Sequence, residues 1–253
     1  MLARTFLRLC TLEALRPSSL LAEPAPAWPT LAAQYVSDSR IDPIDDLGAD
    51  ERRPLIGVFT EDSSLNKIAQ AGPQFYFGEV DLVFELSVVQ QFSADGGPVV
   101  DFADTDAASE AQLDALEEQV FFCLHGGPTG SLFRKMVKLP FAEWVSSVQR
   151  SGEEAIRIAR RTLRGRIRVK ESCYDAAPAT MPAGLDRLPA GLREIAQALG
   201  VSTYLADLAR GVAAATPVMP LRVPIDRVGL TLAPQPGVSD TKPIEASADN
   251  LDE

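Results

Sequence analysis

Apolar and polar residues alternate most clearly between Phe75 and Phe92, where Val80, Leu82, Phe84, Leu86 and Val88 interleave with Asp81, Val83, Glu85, Ser87 and Val89. A period of two predicts a long strand with the first set on a buried face. Asp95-Gly96-Gly97-Pro98 breaks it, and residues 98–108 read as loop. Leu55–Thr60 predicts a second strand, entered at Pro54, which has no N–H for a ladder. Leu31–Val36 reads as a short strand, and an acidic loop over 37–53 joins it to Leu55–Thr60.

Helical spacing appears elsewhere. Leu2, Phe6, Leu9 and Cys10 share one face of a helix over 1–16, which ends before Pro17. Ser109 and Gln112 form a capping-box pattern ahead of Leu113, Leu116, Val120 and Leu124, and Gly126-Gly127-Pro128 stops that run. Another helix is predicted from Phe141, with Trp144, Val145 and Val148 on one side. Ser151 and Glu154 restart it, and Ala155, Ile156, Ala159 and Leu163 continue its apolar face to a C′ residue at Gly165. Residues 166–172 then read as a short basic strand, and 192–199 and 204–212 as helices. Residues 221–232 alternate again, with Pro220 and Pro224 placing their first half at a sheet edge. Four prolines make 17–29 an extended arm, residues 174–191 read as irregular, and 233–253 read as a disordered acidic tail.

A hydrophobic fraction of 46% supplies a core for one domain over 1–232. With 24 Lys and Arg against 35 Asp and Glu, the formal charge is −11, which opposes binding nucleic acid by phosphate neutralisation. Cys10, Cys123 and Cys173 are odd in number and widely spaced, so neither a closed disulfide framework nor a cysteine-based zinc site is expected. His125 is the one histidine, which removes mechanisms that need two imidazoles. No apolar run approaches the roughly 20 residues that span a bilayer, although the arginine-rich start has the composition of a transit peptide.

Catalytic readings fail on spacing. Cys123 and His125 sit two apart, which on a helix points them to different faces. His125-Gly126-Gly127-Pro128 has the look of an esterase oxyanion loop, but the chain lacks a GxSxG elbow, and GGPTGS lacks the lysine of a phosphate loop. The carboxylates at 38–51 do not follow a calcium-loop pattern. No catalytic residue, cofactor or metal site is expected.

Charge segregation is the remaining signal. Arg157, Arg160, Arg161, Arg164, Arg166, Arg168 and Lys170 form a basic run in an acidic chain. A solvated helix face is the plain reading. The sharper one pairs Arg157, Arg160, Arg161 and Arg164 with the acidic loop of a neighbouring copy, where Arg40, Asp42, Asp45 and Asp46 are the candidate contacts. Nucleic-acid binding through 157–170 is a third reading, weakened by the lack of interleaved aromatics.

One resemblance bears on the choice. The leader helix, Val36…Asp38-Ser39-Arg40-Ile41-Asp42-Pro43, the strand Pro54-Leu55-Ile56-Gly57-Val58-Phe59-Thr60-Glu61 and the long strand Glu79–Val88 follow in an order that resembles the tail-terminator (tail-completion) proteins of tailed phages, the lambda-type minor tail protein U class. The match covers roughly residues 1–90, with Pro220-Leu221-Arg222 and Leu230-Thr231-Leu232 a looser echo. It implies an α+β fold: a mixed, mostly antiparallel sheet flanked by helices. It also implies a homohexameric ring on the tail tube that stops tube growth and presents a surface to the head. Expected partners are other copies of the chain, the tail tube protein, a sheath protein where the tail is contractile, and the head–tail connector or neck proteins. DNA would only pass through the lumen, no membrane is involved, and the expected place is the virion tail or neck after assembly in the host cytoplasm. The proline arm, the acidic tail and a longer, helical or irregular 126–215 region depart from a minimal terminator. Another neck or head–tail joining protein on a related fold is the alternative.

Overall fold

A computed structural model of the chain describes residues 2–39, 47, 51–67, 76–94, 97–102, 106–150, 157–170, 182–199 and 203–216. The chain divides into two units, Met1–Asp175 with Ala183–Pro217 and Ala176–Pro182 with Val218–Glu253, and every element below belongs to the first. The predicted strand over 221–232, the acidic tail and Cys173 lie outside the described residues.

The fold is α+β. Strands β1 (Val36–Asp38), β2 (Arg52–Lys67), β3 (Tyr76–Ala94), β4 (Gly97–Phe102), β5 (Val137–Arg150) and β6 (Arg157–Lys170) form one mixed sheet in the order β1-β2-β3-β6-β5, with β4 on β3. Among the described residues only β1 and β2 pair in parallel, and the other pairs are antiparallel. Helices α1 (Ala3–Leu15), α2 (Ala107–His125), α3 (Ser131–Met136), α4 (Ala190–Ala198) and α5 (Thr203–Ala215) complete the unit.

The alternation in β3 does what its period predicts. Val80, Leu82, Phe84, Leu86 and Val88 are fully buried and join Phe6, Leu9, Leu12, Leu116, Val120, Leu163 and Ile167 in one core. Burying each such side chain is worth about 1.5–3 kcal/mol. Helix α1 contributes Phe6, Leu7, Leu9, Cys10, Leu12 and Leu15, all buried. It is a central core helix.

Residues 141–150 and 157–165, read as helix, are strand, and the short basic strand expected from 166 is the last part of β6. Residues 137–150 and 157–170 pair antiparallel as a long hairpin at one side of the sheet, with Trp144 opposite Gly165 and Ser146 opposite Leu163. The region 126–215 is therefore part sheet, not only helical or irregular. In β6 the buried residues are Ala159, Arg161, Leu163, Gly165, Ile167 and Val169, a period of two. The helical spacing of Ala159 and Leu163 is incidental, because strand residues four apart also share a face. Trp144 points into the core, 5.8 Å from the Phe84 ring and 4.8 Å, edge-on, from Phe121 of α2. Residues 97–102, read as loop, form β4 against the end of β3. Helix α2 starts earlier than its capping-box pattern suggests. Asp106 is the N-cap and accepts from the Ser109 amide at 2.7 Å.

Candidate functional site

A strand sends alternate residues to opposite faces, so the basic run cannot act as one patch. Arg160, Arg164, Arg166 and Arg168 lie on the face of the sheet away from the core, beside the carboxylates that β3 sends the same way. Arg160 meets Glu85 at 2.6 Å, Arg168 meets Glu79 at 2.9 Å, and Arg166 meets Asp81 at 2.8 Å. Arg164 reaches Glu61 at 2.8 Å, Asp81 at 3.1 Å and Asp62 at 3.3 Å. Asp81 is only 5% exposed, and two guanidiniums satisfy its oxygens. Its bonds in turn raise the pKa of Arg166, which stays cationic.

Arg161 points the other way, toward the core side. Its guanidinium donates to Glu110 at 2.9 Å, Asp114 at 2.7 Å and Glu117 at 3.1 Å, three acids spaced along one stripe of α2. Burial disfavours the charge, but the bonds to Asp114 and Glu117 outweigh it and the pKa is raised. Ser146 of β5 donates to the same Glu117 at 3.0 Å. Arg161 thus fastens α2 across β6 and β5. Arg157 opens β6 opposite Arg150, and its side chain is outside the described residues.

The segment around Asp38 is a second polar centre. Arg8 of α1 donates to Asp38, and also to the Thr60 hydroxyl at 3.2 Å. Arg4 donates to the Thr60 carbonyl at 2.7 Å. Tyr204 of α5 donates to the other Asp38 oxygen at 2.8 Å. Burial, then Asp38, pushes the Tyr204 pKa up, keeping its hydroxyl a donor. One carboxylate therefore ties α1, β1 and α5 together. Ser39 follows with φ 59°, a left-handed turn that redirects the chain.

That turn leads into the acidic loop. Arg40, Asp42, Asp45 and Asp46 lie outside the described residues. Leu47 is described, and it packs with Leu55, Val89 and Tyr35 in a small cluster separate from the main core. Leu55 and Val89 share the sheet face that carries Glu85 and Asp81, so Leu47 lies against that face. Arg53 closes the cluster, 4.7 Å above the Tyr35 ring and 2.6 Å from Glu51.

The candidate nucleophile and loop chemistry do not assemble. The buried Cys123 thiol sits 3.8 Å from the Pro29 carbonyl, and desolvation raises its pKa, the reverse of an activated cysteine. His125 stacks on Phe121, and burial and Arg134 lower its pKa. Gly126 and Gly127 end α2, and Arg134 donates to the carbonyls of Leu124 and Gly127 at 3.1 and 3.0 Å. The C-terminal end of the helix presents carbonyls held by a cation, which suits neither an oxyanion nor a phosphate. Among the described residues no group of His, Cys, Asp and Glu is arranged to hold a metal ion, and no helix is long and apolar enough to cross a membrane.

The Arg161 cluster and the Asp38 centre escape a reading from spacing alone. Asp38 and Tyr204 are 166 positions apart, and nothing local to either marks the other. For Arg161 the signal was present but split: three acids at helical spacing in one segment and one arginine breaking an apolar alternation in another. No protein-family model matches the chain, and no curated protein matches it.

Proposed function

We propose that this chain is a structural assembly protein of the tail-terminator kind: a homohexameric ring that caps the tail tube of a tailed phage, ends its growth and offers a joining surface to the head connector. The observation that carries the reading is the way the words of the resemblance are used. The leader helix, the Asp38 segment and the Pro54-initiated strand are one packed unit. Arg8 of α1 holds Asp38, β1 lies along Ile56–Val58, and Arg4 reaches Thr60. A sequence word that encodes a structural joint rather than a reaction suits a scaffold.

The electrostatics agree. Arg160, Arg164, Arg166 and Arg168 each meet a carboxylate of the same chain, which leaves little cationic surface for nucleic acid. A net charge of −11 lets DNA pass with little adhesion. Of the candidate interface arginines whose side chains are described, Arg164, 42% exposed, is better placed to reach a neighbour than Arg160 at 22% or Arg161 at 11%.

Negative-stain imaging and light scattering of the purified protein test the reading. Hexameric rings, and copurification with tail tubes, are expected. A protein that stays monomeric at every concentration and never accompanies tails would refute it. Within that test, Arg164→Gln, which keeps a donor for Asp81, is expected to weaken assembly without unfolding the chain, whereas Arg161→Glu is expected to unfold it.

A further inference from the structure

Beyond Gln90, β3 leaves the rest of the sheet. Its pairing with β2 ends at Arg52 opposite Gln90, and its pairing with β6 ends at Arg160 opposite Ser87, but β4 continues along it to Ala94. Among the described residues, Gln91–Ala94 and Gly97–Val100 therefore pair only with each other. They form a two-stranded hairpin that projects about 14 Å at the rise of a strand. Such a hairpin is marginal in water and needs a third strand or a packed surface. Its sequence, 91–102, includes Phe92, Val99, Val100 and Phe102, and its only charges are Asp95 and Asp101.

A surface that fits it lies at the far end of α2. Phe122 is 61% exposed, the most of any large apolar residue among those described, and Leu31 is 48% exposed. The Leu31 amide donates to Gln119 at 2.8 Å, one turn before Phe122, and the Cys123 thiol meets the Pro29 carbonyl. Leu31 and Phe122 thus share one patch. Just beyond it, Arg134 holds the carbonyls of Leu124 and Gly127, and Lys135 follows, both exposed. An apolar surface beside cations matches an apolar hairpin whose charges are acidic. The hairpin cannot cover this patch in its own chain. Its base is tied to the start of α2, where Arg52 donates to both Gln90 and Asp106. Phe122 lies about 22 Å along the helix from Ala107, further than the hairpin projects.

We propose that the Gln91–Val100 hairpin of one copy packs on the Phe122–Leu31 patch of a second copy. The joint uses two different surfaces, at opposite ends of α2, so it repeats from copy to copy rather than stopping at a dimer. It rests on the ring reading and names the contact that builds the ring.

Two variants of the full chain test the two sides of the joint. Phe122→Ser changes an exposed residue, so the circular dichroism spectrum is expected to stay unchanged. Association is expected to weaken about ten- to hundredfold, the equivalent of one phenylalanine's burial. Deleting 91–100 and joining Gln90 to Asp101, its partner in the ladder, through Asn-Gly keeps a tight turn and removes the projection. Light scattering is then expected to show monomers. With Cys173→Ser, Ser93→Cys combined with Glu118→Cys, an exposed position one turn before Phe122, is expected to give a ladder of disulfide-linked oligomers on non-reducing gels, and each single cysteine none; Cys10 and Cys123 are buried. Covalent dimers from Glu118→Cys alone would mean that the patch meets itself and would overturn the joint. Rings that form equally well with Phe122→Ser and without the hairpin would overturn the joint and leave the ring reading standing. A wild-type monomer would overturn both.

Discussion

Replacing Arg161 by methionine tests the main polar connection between α2 and the sheet. The substitution keeps most of the side-chain length and removes the guanidinium. It leaves Glu110, Asp114 and Glu117 on one stripe of α2 with no counter-charge from β6. The three contacts are unequal. The Asp114 side chain is 69% exposed, so its contact is worth at most about 1 kcal/mol. Glu110 and Glu117 are 25% and 22% exposed, and a charge-assisted bond in such a setting contributes about 1.5–3 kcal/mol. Against this, Arg161 Nε is buried with no partner among the described residues, a desolvation cost of about 1–3 kcal/mol that methionine removes. The expected net loss is about 2–4 kcal/mol, or roughly 4–16 °C in Tm for a domain of this size. Urea denaturation followed by circular dichroism measures it. Adding Glu110→Gln and Glu117→Gln to Arg161→Met should recover more than half of the loss, because an ion cluster removed whole costs much less than one broken by half. A loss under about 0.5 kcal/mol, inside the range of ordinary surface substitutions, would refute the assignment of Arg161 as the connection.

Three further outcomes are expected. Gly130→Ala should destabilise by about 1–3 kcal/mol in the same denaturation assay, since its Cβ would lie 2.2 Å from the Cys123 carbonyl oxygen and 2.9 Å from that of Leu124, both backbone atoms. The Asp106 carboxyl is held down to about 2 by the Ser109 amide and Arg52, so its contribution is complete above the ordinary carboxylate range and fades as pH falls through about 2; Asp106→Ala should lower Tm at pH 7, and the difference from wild type should shrink between pH 4 and pH 2. Burial raises the thiol pKa of both Cys10 and Cys123, so neither should react with a disulfide reagent at pH 8 until denaturant is added, which a thiol titration of the Cys173→Ser protein reads directly.

What could be read in the sequence depended on whether one segment contained its own explanation. β3 did, because its core face is uniformly apolar and its alternation survives intact. β6 did not. The arginine at 161 interrupts Ala159, Leu163 and Ile167 on the core face, and only the acids of α2, some 50 residues earlier, make that tolerable. With the alternation broken, the helical spacing of Ala155, Ile156, Ala159 and Leu163 looked more regular. β5 is ambiguous for a related reason: Trp144 and Val148 share a face at a spacing of four in either structure. Of the candidate interface, the residue types were legible but their sides were not. A helix would have gathered Arg157, Arg160, Arg161 and Arg164 together, and a strand separates Arg161 from Arg160 and Arg164 by the thickness of the sheet.

The Asp38 centre sets an order of events during synthesis. Its first donor, Arg8, is made 30 residues before Asp38, but its last, Tyr204, lies 166 residues further on. Closing a loop of that length is slow compared with forming the β2–β3 and β5–β6 hairpins. The sheet can therefore form around a carboxylate that is only partly satisfied, and α5 completes it near the end. A truncation before Tyr204 should leave a chain that collapses but does not lock. On the ring reading proposed above, the timing of one tyrosine would hold back joining until α5 has been made.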